Sequence, residues 1–300
     1  MEIILPREVR KPTIKDPRTL IILSPHKTGK TSAAMMLPNS CLIDLENNSE
    51  YFEGMSINIK ELATKNNKGM GNIYYAVAER IKKENLANNG VPIYDYIIID
   101  TLTQLEKIAR DKALVDWRSS VIGKAKIAKG EDIKDVLKDI GQGGGYDFLY
   151  SAFIEMFSLY HGLAGKCVIY LAHRKFDKKT RGTEEIEITD IDLAGKLRGL
   201  IPSMVDGIGH LYRSSKKPHT NVMSFCKADR DNVFGSRMPH LREKKFIFSV
   251  YDPKKEEIVE CNWDQIFLSL ANKNTSKMQE VDDEEFTTFK DTSADSEYPT

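Results

Sequence analysis

Long apolar runs are missing from this sequence. None approaches the roughly 18 consecutive apolar residues that a membrane-spanning helix needs, so no membrane segment is expected. The opening residues, MEIILPREVRKP, lack the apolar stretch and small-residue cleavage site of a secretory signal, and the expectation is an intracellular, cytoplasmic chain. Cysteine is scarce. Its four copies, Cys41, Cys167, Cys226 and Cys261, lie far apart, with no CxxC pair and no His at metal-ligand spacing. Neither a disulfide framework nor a structural zinc site is expected, and the four read as reduced core residues. Net charge is absent as well, 44 basic residues facing 44 acidic ones. That balance hides an asymmetry, because residues 280–300 hold eight acidic side chains against the single Lys290, leaving the remainder basic. A modestly basic body suits a polyanionic partner, and the acidic end is either a solubilising extension or a competitor for the same surface.

What is present is enough apolar material, 41% of 300 residues, for one substantial domain with appendages. The expected division is an N-terminal extension over 1–17, a domain over 18–272 and a disordered acidic tail over 273–300. Apolar runs of strand length alternate with segments of helical spacing, the pattern of a parallel sheet with helices on its faces. The strand runs are Leu20 to Leu23, Cys41 to Leu45, Ile93 to Asp100 and Cys167 to Ala172; helical spacing covers Lys30 to Leu37, Asn72 to Ala87, Leu102 to Trp117 and Ile191 to Met204. From Asp206 the pattern turns to hairpin-like strands, Gly207 to Arg213, Val222 to Lys227 and Phe246 to Tyr251, followed by an amphipathic helix from Trp263 to Ala271. The fold class expected is therefore α/β, a mostly parallel central sheet flanked by helices, extended by antiparallel C-terminal strands. Ser119 to Tyr146 and Arg174 to Glu187 are rich in charge or glycine and longer than ordinary connections, which marks them as functional loops.

The chemistry concentrates at Ser24-Pro25-His26-Lys27-Thr28-Gly29-Lys30-Thr31, which departs from G-x-x-x-x-G-K-[ST] only in the Ser at its first position. Such a loop, between a strand and a helix, aims successive backbone N–H groups at phosphates, and a side chain at Gly29 would block that approach. Lys30 would reach the terminal phosphates of ATP, Thr31 would ligate Mg2+, and the following Ser32 joins the nucleotide contacts. Asp100, at the carboxyl end of Tyr96 to Ile99, faces the same crevice and is the candidate to hold Mg2+ through water; the alternative is a helix cap, since Thr101-Leu102 opens a helix. Glu46 comes directly after Leu42-Ile43-Asp44-Leu45, where it could polarise a water aimed at the terminal phosphate; the alternative is an exposed turn residue.

At this point the chain resembles the RecA-like P-loop ATPases, and more closely the phage-encoded ones associated with single-strand annealing. The resemblance is carried by Ser24 to Thr31, by Cys41 to Glu46 with the Asn-Asn-Ser that comes next, and by Asp95 to Leu105. Val168 to His173, Val205-Asp206-Gly207-Ile208 and Lys227-Ala228-Asp229-Arg230 add to it, and together they span about residues 18 to 250. It implies that His173 occupies the sensor position facing the terminal phosphate, and that Lys227 and Arg230 close the site of an adjacent subunit in trans, unless they are solvated hairpin charges. It also implies ATP hydrolysis stimulated by DNA, a homo-oligomeric filament or ring with ATP at the interface, and single-stranded DNA along the two long loops. There Lys124, Lys126, Lys129 and the Arg174–Arg181 cluster would meet phosphates, with Tyr146 and Phe176 as stacking candidates. A single-strand-binding protein is the partner expected at the acidic tail, and the compartment would be the bacterial host cytoplasm. The rival readings are a ring-forming helicase-like motor and a nucleotide-dependent assembly protein that does not act on DNA.

Overall fold

The computed structural model describes residues 13–140, 143–181, 184–226 and 233–271, and of 177–188 only the backbone. Lys227, Arg230, residues 1–12 of the N-terminal extension and the acidic tail lie outside the described residues.

Four short, wholly buried strands form the centre: β1 (Thr19–Ser24), β2 (Ser40–Asp44), β4 (Tyr96–Asp100) and the first half of β5 (Cys167–Arg181). Their apolar residues line both faces because both faces are covered. Ile21, Leu23, Ile97, Ile99, Val168 and Tyr170 point into one core, whereas Leu20, Ile22, Tyr96, Ile98, Ile169 and Leu171 point into the other. The first core is roofed by α2 (Ile59–Lys65), α3 (Met70–Ala87), α4 (Leu102–Ser119) and α6 (Gly144–Ser158). The second is closed by α1 (Lys30–Met35) and by Trp263, Ile266 and Phe267 from the C-terminal end of the domain. At about 1.5–3 kcal/mol for each fully buried large apolar side chain, this two-sided burial dominates the stability.

Pairing is parallel from β7 (Gly207–Arg213) through β1, β5, β4 and β2 to β3 (Met55–Asn58), which forms one edge. It is antiparallel through β8 (Thr220–Ser224), β10 (Lys245–Asp252) and β11 (Glu257–Cys261), with the two-residue β9 (Gly235–Ser236) beside β7. The sheet thus runs β11-β10-β8-β7-β1-β5-β4-β2-β3. The expected class holds: a mostly parallel sheet between helices with antiparallel strands at the C-terminal side. Asp206 ties the two halves together at their base, its Oδ2 accepting from the backbone N–H of Arg18 at 2.8 Å and of Thr19 at 3.2 Å.

Both segments expected as long loops contain regular elements among their described residues, although 129–140 is turns and irregular backbone. Ser119 to Tyr146 contains α5 (Val121–Ala128) and the start of α6. Ser120 caps α5, accepting from the Gly123 N–H at 3.1 Å, and the glycines that suggested a loop mark the entrance to α6, where Gly143 adopts φ 74°. In Arg174 to Glu187 the described residues are strand: β5 runs on to Arg181 and pairs antiparallel with β6 (Glu184–Ile191), from Arg174 with Ile191 through Arg181 with Glu184. Three further differences concern extent. The helix expected over Ile191–Met204 shrinks to α7 (Leu197–Leu200) and a 3₁₀ turn ended by extended Val205, and that over Trp263–Ala271 opens as the 3₁₀ turn Trp263–Gln265. β7 is no hairpin strand on its β1 side but a parallel neighbour.

Candidate functional site

Register brings the carboxyl ends of the central strands level. Ser24 lies opposite His173, and Asp44 opposite Asp100, so the carboxyl ends of β1, β2 and β4 open into one crevice with the middle of β5 at His173. The loop after β1 turns tightly. Ser24 is buried, its Oγ donating to the Pro25 carbonyl at 3.0 Å, so the Ser at the motif's first position is accommodated as the last residue of a strand. Thr28 donates from Oγ1 to the same carbonyl at 2.8 Å. Lys27 and Gly29 take left-handed conformations, φ 57° and 86°, on either side of Thr28.

Lys30 is buried, and burial lowers the pKa of its ammonium while Asp100 and Glu46 pull it back up. Its Nζ lies 3.3 Å from His173 Nδ1. The same imidazole places Nε2 3.3 Å from Glu46 Oε1, and the ring of His26 stacks on it with centroids 3.8 Å apart. These contacts fix a tautomer for neutral His173: Nδ1 accepts from Lys30 while Nε2–H donates to Glu46. Desolvation, with the adjacent His173 and Lys30, lowers the pKa of His26.

Glu46 is presented by a turn that Asp44 organises. Fully buried, Asp44 accepts three backbone N–H bonds, from Glu46 at 2.9 Å and Asn47 at 2.8 Å on Oδ1 and from Ser49 at 2.8 Å on Oδ2. Glu46 Oε1 also accepts from Thr101 Oγ1 at 2.7 Å, and Oε2 from Asn48 Nδ2 at 3.2 Å. The hydrogen bond from His173 is the main reason that its pKa falls to about 2, so it is a carboxylate at any neutral pH.

Asp100 behaves oppositely. It is enclosed, and desolvation raises its pKa to about 6 in spite of the hydrogen bond that its Oδ2 accepts from Thr31 Oγ1 at 2.7 Å. Its Oδ1 is buried with no hydrogen-bond partner among the described residues. A desolvated carboxylate oxygen left over beside a Thr hydroxyl fits a divalent cation that takes one or two protein oxygens and completes its shell with water and phosphate, as Mg2+ does. Among the described residues no group of three His, Cys, Asp or Glu forms a dedicated metal cage.

A cleft of about 710 Å³ continues from the loop toward the C-terminal strands. Lys27, Thr28, Gly29 and Ser32 form one wall, Tyr51 and Phe52 another, and Arg213, His219, Asn221 and Tyr251 the third. Its size is that of a small-ligand site.

The structure thus brings together Lys30, Thr31, Glu46, Asp100 and His173. Lys227 and Arg230 lie outside the described residues. Asp95, at the opposite end of β4, is half-buried and pairs with Lys166 at 3.1 Å. Sequence reasoning passed over Asp44, although an Asp three residues before an Asn-Asn pair, at a strand end, is a turn signal of the side-chain-to-backbone kind. Thr101, Arg213 and Asn221 carry no local signal.

Residues 16–237 match the family model described as AAA domain. No curated protein sequence matches the chain. Among solved structures, the chain aligns with the crystal structure of the RadB recombinase at 12% identity and a TM-score of 0.38, covering 81% of this chain and 90% of that one. It also aligns with a prototypical ATPase from the type III secretion system of pathogenic bacteria at 13% identity and a TM-score of 0.35, covering 69% of this chain and 60% of that ATPase. Both alignments are too loose for a function to be carried over.

Proposed function

Because the chain belongs to the AAA domain family, we propose that it is a RecA-like ATPase that binds ATP with Mg2+ at the loop from Ser24 to Thr31, Ser32 included, and hydrolyses it in the service of single-stranded DNA recombination, annealing or repair of phage type. The observation that carries the reading is the chain of contacts Lys30–His173–Glu46–Thr101, which links the phosphate end of the site to a carboxylate aimed at the same crevice.

In this reading the loop N–H groups and Lys30 hold the phosphates, and the cleft beside them takes the ribose and base. Thr31 and Asp100 would hold Mg2+, which when bound neutralises charge on the phosphates. Glu46 accepts the proton of the attacking water on an oxygen that binding frees from its present partners, and His173 senses the terminal phosphate by exchanging its contact with Lys30 for one to the nucleotide. The ATPase domain is residues 18–272, flanked by the extension and the acidic tail. Lys227 and Arg230 of one subunit complete the site of the next in a filament or ring, and the tail engages a single-strand-binding protein.

Two features support DNA as the partner. β5 carries His173 and then, without interruption, the exposed Lys175 and Phe176, with the Arg174 guanidinium 4.3 Å from the Phe176 ring, so one strand joins the phosphate end to a run of basic and aromatic residues, which pairs with the acid-rich β6. Lys124 on α5 and Lys129 just after its end are exposed. The test is phosphate release with and without single-stranded DNA, together with the mass of the assembled species. Stimulation at low salt that fades as salt rises is expected. Turnover without DNA binding would favour a nucleotide-dependent assembly protein, and directional unwinding would favour a helicase-like motor.

A further inference from the structure

Arg213 and Asn221 sit opposite each other on the antiparallel pair β7 and β8. Both reach across to the backbone of the phosphate loop. Arg213 Nη2 donates to the Lys27 carbonyl at 3.1 Å, and Asn221 Nδ2 donates to the Thr28 carbonyl at 3.1 Å. Asn221 also donates to Ser249 Oγ on β10 at 3.0 Å, which fixes the orientation of its amide. These are consecutive carbonyls in a stretch that the chain does not adopt readily: Lys27 has a β-carbon and a φ of 57°, a conformation that non-glycine residues avoid.

A trans peptide is planar, with its C=O and N–H pointing in opposite senses. Drawing the Lys27 carbonyl toward Arg213 therefore turns the Thr28 N–H away from β7, and drawing the Thr28 carbonyl toward Asn221 does the same for the Gly29 N–H. Those are the N–H groups of the phosphate-holding part of the loop, and successive N–H groups turned to one side make an anion-binding concavity. We propose that Arg213 and Asn221 are positioning residues that set these two N–H donors for the phosphates before nucleotide arrives, which makes the C-terminal β-extension part of the nucleotide site. The inference rests on the reading of the loop as a phosphate site. It also explains why β7 lies beside β1: one strand braces both the root of the loop, through its parallel pairing with β1, and its crest, through Arg213.

Both side chains also line the adjoining cleft, so the competing explanation is direct contact with ribose or base. Inorganic tripolyphosphate separates the two, because it has neither. The experiment is calorimetric titration of the full chain with Mg2+ and either ATP or tripolyphosphate, for wild type, Asn221→Ala, Arg213→Ala and Arg213→Lys, with thermal melting of each. A lost hydrogen bond of this kind is worth up to about a tenfold change in affinity. The expected result is a loss of about tenfold for ATP and for tripolyphosphate alike in Asn221→Ala and Arg213→Ala, and recovery in Arg213→Lys, which keeps a donor and the charge. Arg213 is exposed, so its variants stay folded even if Asn221→Ala does not. Weakened ATP binding with unchanged tripolyphosphate binding would overturn the inference in favour of nucleoside contact, and unchanged binding of both would overturn it outright. If wild type binds neither compound, the phosphate-site reading itself fails and the inference with it.

Discussion

Replacing Glu46 by Gln removes a charge and almost nothing else. The carboxylate Oε1 that accepts from Thr101 at 2.7 Å and from His173 at 3.3 Å becomes an amide oxygen able to accept both. Asn48, on the other oxygen, can turn its own amide to match. What is lost is the preference for the ionised form: a pKa lowered from 4.5 to about 2 corresponds to about 3 kcal/mol at about 1.4 kcal/mol per unit. Glu46 keeps a fifth of its side chain in solvent, so water recovers part of this and a net loss of about 1–2 kcal/mol is expected. For a domain of this size that lowers Tm by about 2–8 °C at neutral pH. The sign is set by linkage: a depressed carboxylate pKa stabilises above 4.5 and ceases to do so as pH falls toward 2, so wild type and variant should converge in acid. A general base contributes about 10²–10⁴ in rate. Phosphate release under single-turnover conditions should fall by at least 100-fold, while binding of a fluorescent ATP analogue stays within a few-fold of wild type. Turnover by Glu46→Gln within tenfold of wild type would remove Glu46 from the role of base.

Two further outcomes concern groups whose burial is unusual. Asp100, with its pKa raised from 3.8 to about 6, holds a proton in the folded nucleotide-free state that the unfolded chain has released. Stability should therefore fall as pH rises from about 4 to 6, Asp100→Asn should abolish that slope in pH-resolved melting, and Mg2+-dependent ATP binding should weaken as pH drops below about 6. Trp263 Nε1 donates to the Ala33 carbonyl at 2.8 Å, clamping the end of the domain onto α1. Trp263→Phe keeps most of the packing and removes this donor, while the Ala33 carbonyl still accepts from the Met36 N–H at 3.2 Å, so denaturant unfolding should show a loss of about 0.5–1.5 kcal/mol; an unchanged midpoint would mean that the clamp contributes nothing.

The parts of this fold that could be read in advance are those in which one physical demand acts on consecutive residues. Tyr96-Ile97-Ile98-Ile99 is apolar throughout because both faces of β4 are covered, and Gly29-Lys30-Thr31 stands out as a motif at the junction of β1 and α1. The misread parts mix demands. Gly143 to Gly145 looks like a loop, yet Leu149, Ala152, Phe153 and Met156 bury one face of α6. β3 and α2 escaped notice because Met55 to Lys65 is short and polar, with only Ile59 and Ala63 buried in the helix. The β5–β6 arm is charged on strands that extend beyond the core, where alternation carries no apolar signal. In the site, Glu46, Asp100 and His173 stand out in the sequence as candidates, but the contact between Glu46 and His173 joins residues 127 positions apart and arises only from the strand order. Arg213 and Asn221 escaped for the same reason, since they act on backbone carbonyls that any sequence would supply.

The most direct test of a hydrolytic site at this loop is phosphate release from Mg2+-ATP by the wild-type chain and by Lys30→Ala, each shown by melting to be folded. Wild type should turn ATP over, and Lys30→Ala should show no turnover above the background without protein. An inactive wild type across salt, pH and added single-stranded DNA, or a Lys30→Ala chain as active as wild type, would contradict it.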